Sequence, residues 1–164
     1  MTLALIAAVL LSSGTSDGAG NWSGWRGPNA SGATSGSPPV EWSETKNVRW
    51  KVPLPGKGLA CPIVWGSYVF VATAVPTGKK VGGAPGGPPG RDPIEDQEFV
   101  VLAFDRASGK ELWKKSVNKA VPHQTAHPVN SYATPTPVTD GERVYVSFSS
   151  FGIYALGFDG AIAW

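Results

Sequence analysis

Two histidines, His123 and His127, are separated by three residues in the stretch PHQTAHPVNSY. On a helix that spacing would put both imidazoles on one face, as a pair of metal ligands. Pro122 and Pro128 flank them and disfavour such a helix. No acidic or cysteine side chain stands close in sequence to complete a ligand set, so the pair reads as a loop feature and no metal site is assigned. With Asn130 and Tyr132, the two histidines form the best ligand-loop candidates of the chain. Cys61 is the single cysteine, which rules out an intrachain disulfide and a thiolate cluster. Its neighbours Ala60, Pro62, Ile63 and Val64 point to a buried strand-edge thiol rather than a reactive one. The acids Asp92, Glu95, Asp96 and Glu98 fall in or beside a Gly/Pro-rich stretch, where they serve solubility. No Gly-rich phosphate cradle and no Ser/His/Asp set is present. Arg26, in WRGPN, can stack on Trp25 or Trp22 as a structural clasp. No catalytic residue, cofactor-binding residue or metal ligand is assigned.

The elements that must position these side chains are read from composition and patterning. Lys plus Arg is 14 against 12 Asp plus Glu, without a run of like charges, so neither nucleic acid nor an anionic membrane surface is an expected partner. Gly 21 and Pro 15 with only 16% charged residues suit short strands and turns better than long amphipathic helices. The apolar run 3–11 is too short to span a bilayer and leads into small and polar residues. It is read as a signal peptide over 1–20, which implies an exported protein that is periplasmic, held in the cell envelope or secreted. No Lys or Arg precedes the run, so either the free amino terminus supplies the leader's positive charge or the true start lies upstream. Segment 21–47 is rich in Gly, Ser and Pro but carries Trp22, Trp25 and Trp42, so it is expected to lie against a folded body.

From residue 48 strand-like stretches follow one another at 48–52, 67–73, 98–105 and 110–117, and again at 143–148, 152–156 and 161–164. The halves repeat. Pro62, Val64, Gly66, Val69 and Val71 fall on Pro137, Thr139, Gly141, Val144 and Val146 at a constant offset of 75. Further on, Ala103 pairs with Ala155 and Trp113 with Trp164 at a smaller offset, so the first half holds an insertion, 75–97, whose composition reads as a mobile loop between two strands. Each unit, 48–117 and 118–164, thus has the strand spacing of a β-propeller blade. A β-sandwich is the runner-up, but it would not ordinarily need a tryptophan at the close of each unit.

The stretch AFDRASGKELW specifies its own turn. The Asp105 carboxylate can accept from backbone N–H groups two or three residues on, and Ser108 can do so more weakly. Gly109 supplies the positive φ of a short hairpin loop, Ala103 leaves room in the preceding strand, and Trp113 is aimed at one face. The pattern Ala103, Asp105, Ser108, Gly109, Trp113 resembles the tryptophan-docking motif of the pyrroloquinoline-quinone (PQQ)-type β-propeller repeat. The second copy, Ala155 to Trp164, departs from it, with Gly157 in place of the aspartate and a tighter Asp159-Gly160 turn. The resemblance implies an all-β chain forming a partial propeller, about two four-stranded blades plus an extra strand at 48–52, with the remaining blades of a longer parent as its first partners. It also implies an exported, non-catalytic scaffold binding protein or an extracellular polymer through its loops. The alternative is the N-terminal part of a PQQ-dependent alcohol or sugar dehydrogenase, which would require PQQ and calcium.

Overall fold

The computed structural model describes residues 20–34, 36–81 and 94–164. The leader expected over 1–20 lies, apart from Gly20, outside the described residues, as do Asp92 and the centre of the insertion.

The fold is all-β. A first sheet contains β1 (Ile63–Trp65), β2 (Tyr68–Val81), β3 (Ile94–Asp105) and β4 (Glu111–Ala120), each antiparallel to the next in chain order. A second sheet contains β5 (Val138–Thr139), β6 (Arg143–Ser147) and β7 (Ile153–Gly157), again in chain order. A fourth strand begins on its far edge, where the Ala155 N–H donates to the Trp164 carbonyl at 3.0 Å and the Ala163 N–H donates to the Ala155 carbonyl at 2.8 Å. The two up-and-down sheets are unclosed blades of a propeller. The only helical turns among the described residues are the 3₁₀ turns Pro28–Ala30 and Ser149–Phe151.

β3 explains why the sheets pack as they do. Its unbroken apolar run has the composition of a strand covered on both faces. Phe99, Val101 and Ala103 face the second sheet, where they share a core with Ile63, Phe70, Val144, Val146, Phe148 and Leu156. Val100, Leu102 and Phe104 form a second core with Val69 and Val71 on the opposite face. β4 carries Lys114, Lys115 and Lys119 along the outer edge of the first sheet, and lysines on an edge strand discourage pairing with another chain.

Register gives Ala103 its purpose. Phe70, Ala103 and Trp113 lie in one row across β2, β3 and β4. The missing side-chain bulk at Ala103 lets the Phe70 and Trp113 rings approach to 6.0 Å across it.

Three expectations are corrected. Residues 48–52 form no strand; Trp50 and Val52 instead cover the second core by side-chain packing, and the Trp50 indole Nε1–H donates to the Arg106 carbonyl at 2.9 Å. Alternation tells which side chains bury, but it does not supply a partner edge. The insertion is also less of a loop than its composition suggests, because β2 continues to Val81 and β3 starts at Ile94. Pro76 and Gly78 are accommodated at a register shift between Pro76 and Lys80, the place in a sheet where Pro is tolerated. Finally, of the tryptophans in 21–47 only Trp22 is anchored, exchanging backbone hydrogen bonds of 2.7 and 2.9 Å with Val64. Trp25 and Trp42 are 66% and 73% exposed.

Candidate functional site

The antiparallel order sends all the connections to two opposite ends of the sheets, and the ends differ in chemistry. At one end lie the tight turns. The Ser108 N–H donates to Asp105 Oδ1 at 2.8 Å and the Ser108 hydroxyl donates to the same oxygen, which holds the Asp105 carboxyl below the usual range. Gly109 has φ +74°, and the Trp50 ring lies so close that a Cβ placed there would sit 2.6 Å from it. The arrangement recurs one unit on. The Trp113 indole Nε1–H donates to the Phe158 carbonyl at 2.7 Å, and a Cβ at Gly160 would sit 2.9 Å from its ring. Each indole therefore caps the turn of the following sheet. The equivalent Trp164 is 62% exposed, with the Tyr145 ring 6.2 Å away.

Asp140, at the same end, was not singled out from the sequence. Its Oδ1 accepts from the Glu142 and Arg143 N–H groups at 2.9 Å each, and its Oδ2 accepts from the Tyr145 hydroxyl at 2.7 Å. The Tyr145 hydrogen bond is the foremost of the contacts that pull its pKa down to about 2, while the Tyr145 phenol is pushed up by the same contact. The stabilisation that goes with a depressed carboxyl is present above the unfolded pKa near 3.8 and is lost as pH falls through about 2. Tyr145→Phe is expected to move the Asp140 midpoint upward towards 3.8, read from its side-chain carboxyl resonance in an acid titration. An unchanged midpoint would show that the backbone donors alone hold it down. The Asp-Gly pair at 140–141 is the turn signal from which this group could have been found.

The N-terminal segment is fastened across both sheets. Asn21 Oδ1 accepts from the Gly66 N–H at 2.8 Å, Trp22 pairs with Val64 of β1, and the Ser23 carbonyl accepts from the Thr139 N–H of β5 at 3.0 Å. Arg26 lies 5.7 Å from the Trp25 ring centroid and donates to the Ser31 carbonyl at 3.4 Å, a local clasp.

The other end carries the β2–β3 insertion, the β4–β5 connection with both histidines, and the Ser149–Phe151 turn. His123 Nδ1 and Ser150 Oγ are 3.2 Å apart, and the imidazole stacks on Phe151 at 4.7 Å. Phe151 in turn stacks on Phe99 of the core at 4.6 Å, so the loop ring is referenced to the sheet. The Tyr132 hydroxyl donates to the Gln124 carbonyl at 3.1 Å and accepts from the Ala126 N–H at 3.0 Å, tying the connection into a compact loop. Asn130 Oδ1 accepts from the Ser131 N–H at 2.8 Å and from the Thr134 hydroxyl, and His127 Nδ1 accepts from the Val129 N–H at 3.4 Å.

All four residues singled out from the sequence, His123, His127, Asn130 and Tyr132, line one cavity of about 1020 Å³ together with Phe148 and the Ser149–Phe151 turn. A second cavity of about 420 Å³ lies across the same loop, walled by Lys57, Pro76 and Gln97. The contribution of Ser149, Ser150 and Phe151 was missed, since nothing in their local pattern says which loop they face. Ser149 has φ +56°, a left-handed conformation uncommon for serine. Among the described residues no three His, Cys, Asp or Glu side chains come together as a metal-ligand set. Cys61 is half-buried just before β1, its N–H donating to Thr136 Oγ1 at 3.1 Å.

A family model described as outer membrane protein assembly factor BamB matches residues 33–164. No curated protein matches the chain.

Proposed function

Because the chain belongs to the PQQ-like β-propeller repeat family, we propose that it is an exported, non-catalytic propeller scaffold of the cell envelope, binding protein or an extracellular polymer through its loops. The observation that carries this reading is the division of labour between the two ends of the sheets. One end is consumed by turns, capping indoles and the N-terminal clasp. The other presents open cavities on a loop of uncharged and imidazole side chains, held at a fixed height by Phe151 and Tyr132. A matching family model named for a protein assembly factor agrees with a role in holding other molecules. Among the described residues no helix is long and apolar enough to cross a membrane.

The indoles at the close of each unit act in this reading as pegs between blades. In the first sheet Ile63 and Phe70 are fully buried under the second sheet, and Trp113 is half-buried. Their counterparts Val138, Tyr145 and Trp164 lie on the outward face of the second sheet, where Val138 is 48% exposed and Trp164 62%. The same residue kinds in the same rows suit the same occupant, a further blade of this repeat.

With PQQ, calcium and an artificial electron acceptor, the protein is expected to leave the dye oxidised across a panel of alcohols and sugars. Clear substrate-dependent dye reduction would overturn the scaffold reading in favour of a dehydrogenase.

A further inference from the structure

The larger cavity has a chemistry that narrows its occupant. Its wall is made by Gln124, His127, Asn130, Tyr132, Ser149 and Ser150 with their neighbours, and among the described residues it contains no Asp, Glu, Lys or Arg. A phosphorylated or carboxylated ligand would find no fixed charge among these described residues to pair with. A peptide would find no strand edge, because the whole wall lies between strands: β4 ends at Ala120, β5 begins at Val138, β6 ends at Ser147 and β7 begins at Ile153. What the wall offers is uncharged hydrogen-bonding capacity beside a ring face. Asn130 Oδ1 is engaged within the loop, leaving its NH₂ group to donate, and the Gln124 amide forms no hydrogen bond among the described residues. Since His127 Nδ1 accepts from Val129, its proton resides on Nε2, a further donor. The His123 imidazole is covered on one face by Phe151 and is exposed on the cavity side.

Resting on the binding-scaffold reading above, we propose that this cavity is a binding site for a neutral glycan, with Gln124, Asn130 and His127 hydrogen-bonding sugar hydroxyls and the His123 ring as the platform for a pyranose face. The Gln124 amide offers both a donor and an acceptor and the Asn130 amide a donor, which suits sugar hydroxyls that both donate and accept. A platform stacked on Phe151, which itself stacks on Phe99, loses little conformational entropy when a sugar settles on it.

The test uses the intact protein and defined probes. Cellohexaose, maltohexaose and mannohexaose are titrated separately while the backbone amide resonances of 123–132 and 148–151 are followed, with hexagalacturonic acid and a denatured-protein peptide digest as comparisons. At least one neutral hexasaccharide is expected to shift both segments, and Gln124→Ala to weaken that binding by about threefold to tenfold, the range for losing one hydrogen bond between neutral groups. Gln124 is exposed and its side chain supports no other group, so this variant retains the fold; Asn130→Ala provides the second measurement. No shift with any neutral sugar at millimolar concentration, equal shifts with hexagalacturonic acid, shifts with the digest but not the sugars, or binding insensitive to Gln124→Ala would each overturn the proposal. Sugar binding accompanied by dye reduction would leave this site standing and remove the non-catalytic scaffold. Absence of both would do the reverse.

Discussion

Trp113→Ala is expected to lower the unfolding free energy by about 3–5 kcal/mol, the range for deleting a well-packed aromatic from a core. The reason is that this indole is engaged from three sides. It packs against Phe70 across the small Ala103, covers Gly160 of the second sheet, and donates its only polar hydrogen to the Phe158 carbonyl. Truncation leaves a cavity between the sheets and removes the donor from a carbonyl in the turn that follows β7. Trp164→Ala, by contrast, removes an indole that is 62% exposed and is expected to cost under about 1 kcal/mol. Urea unfolding of the two variants checks this directly. Similar losses for both would show that the tryptophans are ordinary hairpin residues, with no special role between sheets.

Gly109→Ala should be the most damaging of the glycine replacements in the turns of the first sheet, and Gly66→Ala is its control. Both glycines have positive φ, +74° and +56°, so each substitution incurs the left-handed penalty of about 1–2 kcal/mol. At Gly66 nothing lies within 4 Å of the added carbon, and the penalty ends there. At Gly109 the added carbon would lie 2.6 Å from the Trp50 ring, which must move away from the turn and give up its hydrogen bond to Arg106. The total for Gly109→Ala is expected to reach about 3 kcal/mol, adding an overpacking term to the backbone strain. A shifted Trp50 indole N–H resonance should accompany the loss. Equal destabilisation by the two substitutions would mean that the closeness of Trp50 carries no energetic weight.

The all-β class and the blade-like unit were legible because they rest on local signals. The constant offset of 75 between the halves puts Ile63 on Val138 and Phe70 on Tyr145, and in the structure these occupy matching places in β1 and β5 and in β2 and β6. What sequence could not supply is partnership. The 48–52 segment alternates like a strand but finds no ladder, and its Trp50 reaches the turn of the first sheet by side chain alone. Composition misplaced the edges of the insertion because Gly and Pro mark irregular backbone without saying whether it is a loop or a bulge inside a hairpin. The candidate site was half legible. A polar loop with His123, His127, Asn130 and Tyr132 could be picked out by type, yet its opposite wall, Ser149 to Phe151, comes from a turn whose position depends on how two sheets pack.

The clasp formed by Asn21, Trp22 and Ser23 bears on the order in which this chain can assemble. The hairpins of each sheet join residues close in sequence and can form early, whereas the Ser23–Thr139 hydrogen bond joins residues far apart along the chain, across both sheets. Contacts between distant residues wait on chain closure, whose entropic cost must be met before they stabilise anything. Residues that precede both sheets in the chain are therefore among the last to settle, and the free edge of β1 stays open to other strands until they arrive.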